Sequence, residues 1–257
     1  MATANPAMNE AVYRRAGYAD SPAYAMTLNG TVLKSFALLV ILVVAGAITW
    51  TKVFQLKEGM AEGQIAVPGS LVGLLLLGVI GGLVTCFVTI FKPSVAPFTA
   101  PLYAALEGLV LGAISAMFEW RYQGIVTEAV GLTLGVLTMM LLLYGTRIIQ
   151  VTEKFRLGVV AATGAIFLLY LVEFVIGFFG IHVPYIHESG LIGIGFSLVV
   201  VVIAALNLVL DFDFIERGVA MEAPKYMEWY GGFSLLVTLV WLYLEVLRLL
   251  AKLNDRK

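Results

Sequence analysis

Asp211 closes an apolar run that starts at Ile192, and Glu245 lies inside the last apolar run, Phe233 to Leu250, one turn before Arg248. Carboxylates are costly in hydrocarbon, so acids in such places are candidates for handling a proton or a cation. Asp211-Phe212-Asp213 is not one acidic motif, because along a helix Asp213 is rotated by about 200° from Asp211. Asn207, four residues before Asp211, shares its face instead. The spacing predicts Asp211 with Asn207 facing a helical interior, and Asp213 paired locally with Arg217 near the membrane surface. Glu245 and Arg248, three apart, are spaced for a salt bridge that lowers the cost of burying each; the competing reading turns Glu245 towards the interior as a working group.

Other candidates are weaker. Glu107 lies mid-run, directly before Gly108, with no basic residue in its segment, so it must be protonated, hydrated or paired across helices; it is a candidate lining residue. Glu173 reads as a solvated end or a mouth residue. His182, His187 and Glu188 bracket a loop at spacing too loose for a metal site. Cys86, the only cysteine, lies in an apolar run and reads as packing. No serine–histidine–acid set, zinc motif, dinucleotide fingerprint or phosphate loop is present, so neither an enzyme nor a cofactor is expected. A set of carboxylates suits hard cations such as calcium, or protons, and makes Asp211 and Glu245 the candidate transient calcium ligands.

These residues must be positioned by membrane-spanning elements. The chain has 257 residues, 61% hydrophobic and 13% charged, with a mean hydropathy of +0.97; soluble domains are nearer half apolar and a quarter charged. A net charge of -1 offers no broad basic surface for nucleic acid. Seven segments reach the roughly 20 mostly apolar residues that a spanning helix needs: Leu33 to Trp50, Ser70 to Phe91, Phe98 to Phe118, Ile125 to Tyr144, Leu157 to Gly180, Ile192 to Asp211 and Phe233 to Leu250. They must be helices, because lipid satisfies no backbone polar groups and the runs lack the alternation of barrel strands.

The expected fold is therefore an all-α integral membrane protein: one seven-helix domain over 32–257, preceded by a polar tail, 1–31, that is disordered or lies along the membrane surface. The first run reads as an uncleaved signal anchor. Only Phe212 to Gly232 is long enough to hold a further element between spans. Trp50, Trp120, Tyr122, Tyr185, Trp229 and Tyr230 lie at run ends, where aromatic rings favour the headgroup layer. With the N-terminus in the cytoplasm, Arg14, Arg15, Lys34, Lys92, Arg147, Lys154, Arg156, Arg217 and Lys225 fall inside, against Lys52, Lys57 and Arg121 outside. Seven crossings then put Lys252, Arg256 and Lys257 outside, opposed to that rule. Glycine pairs Gly78/Gly82, Gly108/Gly112 and Gly131/Gly135 predict close helix packing.

Glu107-Gly108-Leu109-Val110-Leu111-Gly112, Leu208-Val209-Leu210-Asp211-Phe212-Asp213 and Leu242-Tyr243-Leu244-Glu245, set in seven apolar runs, resemble the transmembrane Bax inhibitor motif (Bax inhibitor-1-like) family, in particular its bacterial branch. The resemblance implies a bundle of six helices around the C-terminal one and a pH-sensitive calcium leak. It further implies that an aspartate on the sixth helix, here Asp211, hydrogen-bonds an acid on the seventh, here Glu245, as pH sensor. Glu245 stands where the calcium-leak pattern has aspartate, and Lys92, followed by Pro93, is the candidate for a basic latch at the end of the second helix.

The function expected is a pH-sensitive cation leak of the bacterial inner membrane, with Asp211 and Glu245 as sensor and Glu107, Asn207, Asp213 and Arg248 in pathway or supporting roles. Its expected partners are the lipid bilayer and calcium ions or protons. The alternatives are a non-conducting regulator of a membrane protease or stress response, acting through a membrane-protein partner, and a proton-coupled transporter. Pairing carries a geometric condition. Glu245 lies about 18 Å along helical rise into the last run, so Asp211 must lie within its helix, which continues through Phe214 and Ile215.

Overall fold

The computed structural model describes residues 16, 17, 19, 24–59, 69–177 and 190–256. Among these are seven helices long and apolar enough to span a membrane. They are α1 (Leu28–Gly59), α2 (Gly69–Phe91), α3 (Ala96–Arg121), α4 (Ile125–Gly145), α5 (Glu153–Gly177), α6 (Leu191–Ala220) and α7 (Met227–Asn254). The architecture is all-helical, as the uninterrupted apolar runs require. The core windows of α3 and α7 are each half buried, the highest shares among the seven. His182, His187 and Glu188 lie outside the described residues.

Local chemistry sets the helix ends. Pro93 opens a single 3-10 turn, Pro93–Val95, and Pro97 lies in the first turn of α3, where a missing N–H costs nothing. Gly124, at φ +86°, takes the left-handed conformation that glycine favours and precedes the first residue of α4. Between α6 and α7 no further element forms. Instead α6 continues through Phe214 and Ile215 to Ala220 and closes with the Ala223 N–H bonded to the Gly218 carbonyl, Glu222 standing at φ 49° where glycine is usual. The long linker expected between the last two spans is thus mostly helix, because its apolar residues Phe214 and Ile215 are buried and extend the inward face of α6.

The chain divides into two compact units, with α6 and α7 contributing to both. One unit holds α1, α2 and α3 with residues 215–236. Here α1 and α3 cross backbone to backbone: a Cβ on Gly108 would overlap the Leu42 carbonyl, and one on Gly112 the Gly46 carbonyl and Thr49 hydroxyl. Gly78 of α2 is held against α3, its would-be Cβ lying 2.9 Å from the Leu106 carbonyl oxygen. The start of α1 falls inside the segment assigned to the tail. Ahead of it, residues 24–26 pair antiparallel with residues 223–225, Met26 N–H donating to the Ala223 carbonyl and Lys225 N–H to that of Tyr24.

The other unit holds α4, α5, α6 up to Phe214 and α7 from Val237. Its ring contacts join neighbouring helices: Tyr144 of α4 lies 5.9 Å from Phe212 of α6, and Tyr170 of α5 meets Phe196 of α6 edge-on at 6.4 Å. The Gly131/Gly135 pair of α4 does not pack as expected, since nothing lies within 4 Å of a Cβ at either position. A glycine pair permits close approach but does not create a partner for it.

Candidate functional site

Thr238, Glu245 and Lys252 follow one another on α7 at intervals of seven residues. Two helical turns bring such residues within about 20° of one line, and all three are buried. They form a buried polar stripe along α7, and each level of the stripe meets its own partners from α5 or α6.

At the first level lies Asp211, midway between Asn207 and Ile215 on the inward face of α6 and 1% exposed. Thr238 is the α7 side chain that approaches it. Neither Oδ atom of Asp211 makes a hydrogen bond of ordinary geometry. Asn207, one turn earlier, is likewise buried but is used differently, its Nδ2 donating to Thr163 Oγ1 of α5 and to the Ile203 carbonyl, each at 2.8 Å. It ties α6 to α5.

At the second level Glu245, 2% exposed, is held by two donors. Tyr170 Oη of α5 donates to Oε1 at 3.0 Å, and Arg248 Nη1 lies 2.8 Å from Oε1 and 3.0 Å from Oε2. The same Nη1 donates to Tyr170 Oη at 3.0 Å, and the guanidinium lies 5.4 Å from the Tyr170 ring centroid. Glu245 is thus both buried and salt-bridged.

The expected Asp211–Glu245 hydrogen bond is absent. Asp211 lies nine residues before the end of α6 and Glu245 eighteen after the start of α7, about 14 Å and about 27 Å along their helices. Continuing α6 past Asp211, as it does, reduces the difference in depth without removing it. Thr238, about 16 Å along α7, is the residue at the matching level.

At the third level Lys252 donates to the Gly193 carbonyl at 3.1 Å and to Ser197 Oγ at 2.8 Å, both on the first turns of α6. Glu173 of α5 is within electrostatic range of it. Asp213, off the stripe, accepts from Arg156 Nη2 of α5 at 2.8 Å, so a cation from a neighbouring helix joins the local candidate Arg217 as a charge to reckon with there.

Glu107 belongs to the other unit. It is half-buried on α3, with Oε2 3.5 Å from where a Cβ of Gly82 would stand, and Cys86 and Tyr103 are within its electrostatic range. Among the described residues, no three His, Cys, Asp or Glu side chains converge as a metal site would require.

Sequence reasoning missed Thr238, Tyr170, Arg156, Ser197 and Lys252. The seven-residue rhythm Thr238–Glu245–Lys252 was the available signal for the stripe. Nothing local marks Tyr170, Arg156 or Ser197, whose roles depend on which helix stands opposite. No curated protein and no solved structure matches the chain. The family described as Bax inhibitor 1 like matches residues 5–255, nearly the whole of a seven-helix chain with buried acids on its last two helices, and the chain belongs to that family.

Proposed function

We propose that the protein is a pH-sensitive cation leak, with calcium among its permeant ions, in the inner membrane of a bacterium, with its N-terminus in the cytoplasm. The observation that carries the proposal is the buried Asp211 carboxylate, whose oxygens make no hydrogen bond of ordinary geometry and are approached on α7 by Thr238 alone among the residues that act on it. A bare carboxylate in a dry interior is costly, so it holds a proton, takes up a cation, or forces the helices to admit water. Each response couples protons to permeation. Proton loss from Asp211 favours an arrangement of α6 and α7 in which water or a cation reaches the carboxylate, and two packings of similar energy are enough for such a switch.

Glu245 acts at a separate level of the same stripe. With Arg248 and Tyr170 as donors it is already compensated, so the sensing falls chiefly on Asp211 and not on a shared proton between two acids. The test is calcium efflux from liposomes containing the full chain, followed across pH. Asp211→Asn flattens the pH dependence, while Glu245→Gln shifts the rate and keeps the dependence. An unchanged profile in Asp211→Asn refutes the sensor. Vesicles that stay tight at every pH favour the non-conducting regulator instead.

A further inference from the structure

Lys252 is 4% exposed. A lysine near the end of a spanning helix ordinarily snorkels, laying its stem on apolar surface and placing its ammonium in water. Lys252 does the reverse. Its Nζ turns inward onto the Gly193 carbonyl and the Ser197 hydroxyl of α6. Among the described residues, the charged groups that act on it include Glu173 of α5 and, on α7, Arg248 and Glu245. A carbonyl, a hydroxyl and a nearby carboxylate are the oxygen donors that a hard metal cation takes. The ammonium sits where such a cation would sit.

Its place on α7 gives this arrangement a consequence. Lys252 stands at the far end of the stripe from Asp211 and Thr238, so in the cation-leak reading an ion that follows the stripe meets its fixed charge there. A tethered positive charge there both fills the oxygen cradle and repels the ion approaching it.

We infer that Lys252 is a tethered cation plug: its ammonium occupies an oxygen cradle, formed by the Gly193 carbonyl and the Ser197 hydroxyl, that binds a permeant metal cation once the ammonium leaves. The inference rests on the cation-leak reading above and adds to it the residue that holds the path shut. Arg248 does not serve this purpose, because its guanidinium is committed to Glu245 and Tyr170.

The experiment compares the full chain with Lys252→Met and Lys252→Arg in two readouts. In calcium-loaded liposomes Lys252→Met leaks at least about tenfold faster than the parent, since removing a fixed charge at contact distance is worth that much or more, and Lys252→Arg stays near the parent rate. In detergent, the thermal midpoint of Lys252→Met rises when calcium chloride replaces choline chloride at constant ionic strength, and that of the parent does not. A Lys252→Met protein with parental leak and a cation-independent midpoint overturns the plug. The two proposals fail differently. If Lys252→Met gains the calcium-dependent midpoint but no protein conducts, the cradle stands and the leak reading falls; if leak depends on Asp211 while Lys252→Met changes neither readout, the leak stands and the plug falls. Should Lys252→Met not fold, Ser197→Ala decides: by freeing the ammonium it speeds the leak about threefold, and a parental rate overturns the inference.

Discussion

Arg248 holds Glu245 from one turn away on the same helix, its Nη1 within 3.0 Å of both carboxylate oxygens, and Tyr170 closes the group from α5. The Arg248 side chain is 36% exposed whereas that of Glu245 is 2% exposed, so the pair joins a buried carboxylate to a partly exposed cation. Removing the cation leaves the anion behind.

Arg248→Met is therefore expected to destabilise the protein by about 3 kcal/mol, the cost of stranding a buried partner. The double variant Arg248→Met, Glu245→Gln recovers most of that loss, because no uncompensated charge remains. Thermal unfolding of the three proteins in one detergent checks the order. Equal loss in the single and double variants means that packing of the Arg248 stem, not its charge, is what matters.

The crossing of α1 and α3 makes a prediction about glycines of similar appearance. Gly112→Ala drives a methyl into the Gly46 carbonyl and Thr49 hydroxyl, which are backbone and a packed side chain with little room to yield. A loss of folded yield is expected, with a midpoint lower by an amount matching about 2 kcal/mol or more. Gly131→Ala and Gly135→Ala meet nothing within 4 Å and are expected to be neutral, or stabilising by up to about 1 kcal/mol through helix propensity. Midpoints that fall alike for all three variants contradict the close crossing.

In the same unit, Glu228 fastens the start of α1. It is fully buried, accepts from the Thr27 N–H and hydroxyl at 3.1 and 2.9 Å, and is paired with Lys34. This acid satisfies an N-terminal donor of α1 and complements the positive end of its dipole. Glu228→Gln, which weakens both, is expected to lower stability by about 1–2 kcal/mol. Gly30→Ala, whose Cβ would overlap the Glu228 carboxylate, gives a similar loss, and limited proteolysis near the start of α1 reports both. Resistance equal to the parent in both variants shows that the clasp does not hold the segment.

Several features were legible in the residues themselves. The spans follow from apolar length; that Asp211 lies within its helix was expected only as a condition of pairing with Glu245, and α6 does continue past it although that hydrogen bond is absent. Gly108 and Gly112 announced a close crossing, yet their partner, Gly46, is a lone glycine in a different run. Gly131 and Gly135 carried the same spacing, yet a Cβ at either would meet nothing within 4 Å among the described residues. Glu245 and Arg248 showed their pairing in their three-residue spacing, while Tyr170, the third member, lies 75 residues away from Glu245.

What the sequence determined by itself is whatever depends on one helix at a time: the seven spans, the inward face of Asp211 and Asn207, and the bridge from Arg248 to Glu245. These follow from the rise and period of the α-helix and from the cost of polar backbone in lipid. Tertiary structure decided everything that depends on the depth and rotation of one helix against another. It set Asp211 opposite Thr238 instead of Glu245, gave Arg156 to Asp213 and turned Lys252 onto α6. Depth and rotation are set by how side chains of several helices fit together, and no single run of residues contains that information.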